Sequence, residues 1–428
     1  MVVAFNGGMP GLRIQYFRGP VWGKTNEQIK KQIIEANNPI TGKPVMPEII
    51  AKLTEPLNAA EKDMSEKKQD VGPATYTDTE ENLHKLFLDK RYTDFLPVVM
   101  PTRERVDAML AQTSHAPDEI LGRMNPGSGA GETWTYTVRH AAVAAVMAGA
   151  KPEYFPVILA IGSTGQTAVN VSDNGFMYGA VINGRIRDEI GLNYDIGAVG
   201  PYAHANTTIG RAWSLLSING GNCGKVGTTY MGTVGNSANL VNVIIAENEE
   251  LSPWEPFSTR RGFKRDENVI SLFLGWGIIS SKSWKASAWS STMDYPQIIR
   301  NIYKQQDSLF GTVAVLSPPI ANYVRDSGFE TVEKFIEWVT DPDSDTAPDE
   351  QALLYWEKFA KLDPNMAPKT SVSAPKAKSG AGAALGPMEE WGQGPGQFNV
   401  VVTGATNNNY YMMGSMVPLA SVQIDKWR

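Results

Sequence analysis

The chain has 428 residues, 42% hydrophobic and 20% charged, enough for a sizeable core, so disorder is excluded as its dominant state. Against 39 Lys and Arg stand 45 Asp and Glu, a net charge of −6 that offers no basic field to a phosphate backbone. The single cysteine, Cys223, excludes an intramolecular disulfide and any four-thiolate metal or iron–sulfur site within one chain, and the 4 histidines restrict metal ligation further.

Residues 1–20 carry neither the basic-then-apolar pattern of a signal peptide nor a membrane-length apolar run, and no such run follows. The expectation is a cytoplasmic protein with no membrane and no nucleic-acid partner. Residues 1–90 read as an N-terminal arm with short helices, punctuated by Gly7, Gly8, Pro10, Gly11 and Pro20, with helical spacing at Ile29, Ile33 and Ile34. Such an arm has too few apolar groups to fold alone and is expected to cross to a neighbour in a homo-oligomer. Helices are predicted over Thr79–Leu88 and from a Thr102 cap through Val106, Met109 and Leu110.

Residues 91–290 read as an α/β core. The alanine-rich stretch Thr133–Met147 predicts a buried helix, and the β-branched runs Val157–Ile161, Gly179–Ile182, Val241–Ala246 and Val269–Leu274 predict strands. Residues 291–370 add the strand Thr312–Leu316 and a helix over Phe329–Val339. Residues 371–387, SVSAPKAKSGAGAALGP, read as a flexible linker or surface loop, and 388–428 add the strand Phe398–Val402 to the core. The expected fold is α/β: a mixed or mostly parallel sheet core with flanking helices and an extended N-terminal arm, binding ligand at the carboxyl edge of the strands.

Candidate chemistry clusters in three places. The stretch Asn125-Pro126-Gly127-Ser128-Gly129-Ala130-Gly131-Glu132 is a glycine-rich turn placed directly before the expected helix, where turn amides and a helix entrance would hold an anion. Ser128 or Glu132 could instead simply cap the helix. The turn lacks the third glycine of a dinucleotide fingerprint and the lysine of a phosphate loop. Second, Ile196–Ala246 holds only two formally charged residues, Arg211 and Lys225, among nine glycines and six asparagines, so it is buried or lines a dry cavity. There Arg211 either pairs with a protein carboxylate such as Glu247 or grips a substrate carboxylate. Within the same segment Asn206 and Asn222 are candidate substrate contacts, His204 is a candidate for proton transfer, and Cys223 is a possible nucleophile or an inert buried thiol. Third, Glu247 ends the strand Val241–Ala246 ahead of an expected capping box at Ser252-Pro253-Trp254-Glu255, a position suited to general acid–base work; the alternative is a pair with Arg260 or Arg261, or simple solvation. His140 reads as a core histidine. Two polar stretches, Asn170 to Asn174 and Thr403 to Asn409, could donate hydrogen bonds to a ligand or merely form turns. No metal site and no cofactor is expected from these spacings.

The segments Thr93-Asp94-Phe95-Leu96-Pro97, Pro101 to Val106, Asn125 to Gly129, Glu153 to Val157, Ala205 to Arg211 and Ala246 to Glu255 together resemble a bacterial family of large proteins related to the UGSC-motif (seleno)proteins. The likeness spans residues 90 to 275, with a weaker echo near 398 to 410. It implies a link to thiol or selenol redox chemistry, because the motif that names the family pairs a selenocysteine or cysteine with a second cysteine. This chain has no Cys-Gly-Ser-Cys and only Cys223, so redox turnover by two thiols within one chain is impossible. The thiols would come from a separate redox partner protein, or this member does something else. The expectation is an enzyme acting on a small anionic or polar organic molecule by acid–base chemistry of lyase, hydratase or hydrolase type, with Glu247 and His204 catalytic. The alternative is a non-catalytic or half-site subunit of a heteromeric, possibly thiol-redox, complex.

Overall fold

A computed structural model describes residues 11–17, 24–59, 61–62, 75–126, 133–169, 175–227, 229–230, 232, 234–284, 294–305, 311–341, 398–407 and 409–428. The glycine-rich residues 127–132, the polar residues 170–174 and the linker 371–387 lie outside them.

Near the amino end, a helical turn at Asn26–Ile29 precedes α1 (Val45–Thr54). This part is tied together by polar bonds of its own. Arg13 forks onto Glu61 through Nε and Nη2, each at 2.8 Å, while Glu48 accepts from Asn38 and Thr41, both at 2.6 Å. Those hydrogen bonds, that from Thr41 first, pull the Glu48 carboxyl down to about 2. No described residue of 11–62 enters the hydrophobic clusters of the core described below.

Thr102 caps α3 (Arg103–Leu110) as expected, and Thr79, the first residue of the expected helix, caps α2 (Glu80–Asp89), each hydroxyl accepting from the amide three residues on. β1 (Ile120–Arg123) and β2 (Thr135–Thr137) then form an antiparallel pair. The glycine-rich turn therefore links two strands. It does not open the helix directly, because α4 begins only at Val138 and runs to Ala148, and Thr137 N donates to His140 Nδ1 at its entrance. His140 is an exposed first-turn residue and not a core histidine.

The run Val157–Ile161 is α5 (Phe155–Ser163), a correction of the expected strand. A continuous apolar stretch satisfies either conformation when it is buried on every side, and Phe155 to Gly162 are all buried. β3 (Met177–Asn183) follows, then α6 (His204–Asn219), β4 (Val243–Ala246) and β5 (Val269–Trp284). The capping box predicted at Ser252 starts no helix: Ser252 Oγ closes a local turn with Trp254, and the short helix Phe257–Arg260 comes afterwards. The second half supplies α7 (Tyr295–Gln305), β6 (Thr312–Leu316), α8 (Pro318–Asp326), α9 (Val332–Thr340), β7 (Phe398–Val402) and β8 (Asn409–Gln423).

The fold is mixed α/β. Six strands form one sheet in the order β4-β3-β5-β8-β6-β7, with β3/β4 and β6/β7 parallel and the three central pairings antiparallel. The order reads as two similar halves joined along β5 and β8. Alternation along the strands separates two faces. On β3 and β4, even-numbered residues such as Tyr178, Ile182 and Ile244 pack under α4, α5 and α6. In the other half, Ala314, Leu316, Val400 and Val402 pack under α7, α8 and α9. The opposite face brings Met177 and Val181 together with Phe273, Val315, Val401 and Met416 in one cluster. Residues of both edge strands, Ile245 and Val401, belong to it, so the sheet is rolled with this face inward. Inside lies an apolar cavity of ≈ 20 Å³, lined in part by Gly179, Val181, Phe273 and Met416. Apolar walls leave such a void dry.

Candidate functional site

The roll of the sheet brings the carboxyl ends of its two edge strands together. Asn248 N donates to Val402 O at 2.7 Å, and Thr403 Oγ1 donates to Ala246 O at 2.8 Å, so the ends of β4 and β7 clasp each other. Asn248 completes the clasp by donating to Gly404 O at 3.0 Å. Thr403 and Gly404 therefore hold the fold together here. In an α/β sheet this carboxyl edge is where ligands usually bind.

Glu247 lies inside that clasp with 1% of its surface exposed. Its parity continues the inward face past Ile245, so its side chain follows the inner wall of the sheet. Oε2 accepts from Asn183 Nδ2 and from Phe257 N, both at 2.6 Å. Burial pushes the carboxyl up, against the opposing pull of Arg260 and these two hydrogen bonds. Arg260 is half-buried with its Nε enclosed, lies over the Phe257 ring at 4.9 Å, and donates from Nη2 to Val400 O. Asn183 also donates to Glu249 Oε1 at 3.0 Å, which links the buried carboxyl to one nearer the surface. Arg187 forks onto Glu250 at 2.8 and 3.1 Å and donates to the Glu247 carbonyl. Three buried polar atoms around this carboxyl, Asn183 Oδ1, Ser258 Oγ and Arg260 Nε, have no hydrogen-bond partner among the described residues. Interiors seldom leave such groups unmet.

The other expected site residues fall elsewhere. His204 is the exposed first residue of α6, its Nδ1 3.3 Å from Tyr154 Oη, and it shares no hydrogen bond with Glu247. The expected pair is not formed: within the charge-poor segment the body of α6 is buried around Trp213 and Leu216, whereas His204 sits at the exposed end of that helix. Arg211 does not pair with Glu247 either. Its fork is filled by Asp94, with Nε to Oδ2 at 2.9 Å and Nη2 to Oδ1 at 2.8 Å. Asn206 spends its amide on Asn193 and on Ile244 O at 3.1 Å, which fastens α6 to β4. Asn222 is buried with φ +58° in the turn after α6. Beside it, Cys223 is fully buried and its Sγ contacts Gly221 O at 3.3 Å. Burial pushes this thiol up to about 11, and Lys225, a possible activating cation in the sequence, stands over the Trp134 ring instead. Asn125 is exposed at the start of the glycine-rich turn; Gly127, Ser128, Gly129 and Glu132 lie outside the described residues.

Sequence reading missed Asn183 and Ser258, whereas Arg260 stands beside Glu247 as the expected alternative partner. For Asn183 a signal existed, a polar residue closing an apolar strand on the same parity as Val181; Ser258 carried none. Among the described residues, no group of three or more His, Cys, Asp or Glu is placed to hold a metal, and no helix is long and apolar enough to cross a membrane. Comparison with protein-family models, curated proteins and solved structures finds no match to this chain.

Proposed function

We propose that the chain is an enzyme that acts on a small polar or anionic organic molecule by acid–base chemistry, of lyase, hydratase or hydrolase type, at the clasped carboxyl edge of its sheet. The observation that carries this reading is Glu247: a fully enclosed carboxyl, raised by burial, beside three buried polar atoms, Asn183 Oδ1, Ser258 Oγ and Arg260 Nε, without partners among the described residues. A carboxyl raised toward neutrality can give and take a proton at working pH, whereas an ordinary one is a weak base and is already ionised. Arg260 Nε supplies a donor for an anionic or carbonyl oxygen, and Asn183 Oδ1 an acceptor for a hydroxyl or amine hydrogen. In this reading Glu247 moves the proton and Arg260 offsets negative charge, while His204 and Cys223 take no part.

The test is a metabolite screen by thermal shift, followed by turnover of any stabilising compound. Glu247→Gln preserves the acceptor for Asn183 and Phe257 but loses the proton, and a loss of about 10²- to 10⁴-fold in turnover is expected. Full activity of a folded Glu247→Gln protein would reject the reading.

A second reading, a subunit of a larger assembly, is supported by the segment that ends in α1, where Ile40, Ile50 and Leu53 are 68%, 55% and 80% exposed. Deleting residues 2–60 should then lower the sedimentation coefficient by more than the lost mass explains. An assembly unchanged in subunit number would count against it.

A further inference from the structure

The helix α7, which precedes β6 in the chain, packs on α9. Arg300 lies on α7 with 4% of its surface exposed. Its guanidinium stands 4.2 Å from the centre of the Trp338 ring, which is itself stacked against Phe335. Among the described residues, neither Nε nor Nη2 has an acceptor. A cation–π contact satisfies one face of the guanidinium and leaves its in-plane N–H groups unmet. An arginine buried in this way ordinarily faces a carboxylate or phosphate. Lys304, one helical turn further along α7, adds a second positive charge on the same side, and burial together with Arg300 holds its ammonium below the ordinary value. Asp341, at the end of α9, acts on Lys304 in the opposite sense.

We infer that Arg300 and Trp338 form a binding site for a small oxyanion, a carboxylate or phosphate group whose two oxygens lie in the plane of the guanidinium. The ring fixes that plane, so the site favours groups that accept two parallel hydrogen bonds over spherical anions such as chloride. It is independent of the chemistry proposed at Glu247.

The experiment is thermal denaturation and calorimetric titration of the full chain with inorganic phosphate and with succinate, against chloride at equal ionic strength. Saturable stabilisation by phosphate identifies a phosphate site, and stabilisation by succinate a carboxylate site; chloride should give neither. Arg300→Met should weaken binding by roughly ten- to a hundredfold, as expected for lost hydrogen bonds to a charged group. Should Arg300→Met fail to fold, Arg300→Lys keeps the charge without the fork and should also bind more weakly. Absence of any saturable effect on the unmodified protein overturns the inference, as does an undiminished response in folded Arg300→Met. A further variant neutralises the acidic residues Asp343, Asp345, Asp349 and Glu350, which follow α9 in the sequence. If only that variant binds phosphate, the chain supplies its own counter-ion and the ligand site is likewise overturned.

Discussion

Arg211 and Asp94, 117 positions apart, meet in a two-pronged ion pair that fastens α6 to the loop ahead of α3, and Arg211 adds a bond to Pro97 O at 2.8 Å. Their side chains are only 14% and 5% exposed, so removing one leaves the other charge poorly solvated. Arg211→Met should cost about 3 kcal/mol. The double variant with Asp94→Asn should recover part of it, measured as a double-mutant cycle in urea. A loss below that of an exposed pair would show that the contact does not hold the fold.

Glu247 gives a pH dependence of the less common sign. Its carboxyl is raised in the folded state, so the folded protein binds more protons than the unfolded chain above the ordinary value of 4.5, and stability attributable to this group falls as pH rises from there toward the folded value. Glu247→Gln should abolish that component. The difference in urea midpoint between the variant and the unmodified protein should therefore grow in the variant's favour from pH 4.5 upward. A constant difference would contradict the raised carboxyl.

Gly210 marks the closest approach of α6 to the chain ahead of β4. A Cβ added there would lie 1.8 Å from Val241 O and 3.1 Å from Ile244 Cγ1. Helix propensity alone would favour alanine by about 1 kcal/mol. The clash with backbone dominates, and Gly210→Ala should lose more than about 3 kcal/mol or fail to fold. Circular dichroism melts of the two proteins decide between these opposite signs.

His115 anchors the carboxyl terminus: its Nε2 lies 2.8 Å from Lys426 O, its Nδ1 2.9 Å from Glu119 Oε1, and its ring is stacked on Trp427 at 4.5 Å. Only the protonated imidazole donates at both nitrogens. The Lys426 carbonyl, followed by Glu119, raises its pKa above the ordinary 6.5. The resulting stability is full below that value and is lost as pH rises through the folded pKa. Hydrogen exchange at residues 424–428 should accelerate across that window in the unmodified protein. In His115→Gln the same amides should exchange without a step, and a step retained there would assign the titration to another group.

Cys223 should resist modification. A thiol with no exposed surface and raised to about 11 offers little thiolate at pH 8, so a disulfide reagent should react slowly in buffer and rapidly in denaturant. Cys223→Ala should retain any activity found. Rapid native labelling, or lost turnover in a folded variant, would restore the thiol as a candidate nucleophile.

Much of the local structure follows from the sequence alone. Strands β6 and β7 coincide with the predicted runs, and Thr79 and Thr102 cap the predicted helices, because alternation, β-branching and a hydroxyl three residues from an amide are properties of neighbours in the chain. Local signals already became ambiguous at Val157–Ile161, where burial on all sides erased the period that distinguishes a helix from a strand. The site depended on contacts between distant segments. Glu247 was legible as the end of a strand and Arg260 as one of its possible partners, but its hydrogen bonds with Asn183 and Phe257 and the clasp with Val402 and Thr403 arise from the rolling of a six-stranded sheet whose edges are far apart in sequence. Arg211 and His204 shared one charge-poor segment, yet one faces Asp94 and the other an exposed helix end. Sequence fixes which groups are costly to bury; only tertiary packing decides which partner each one meets.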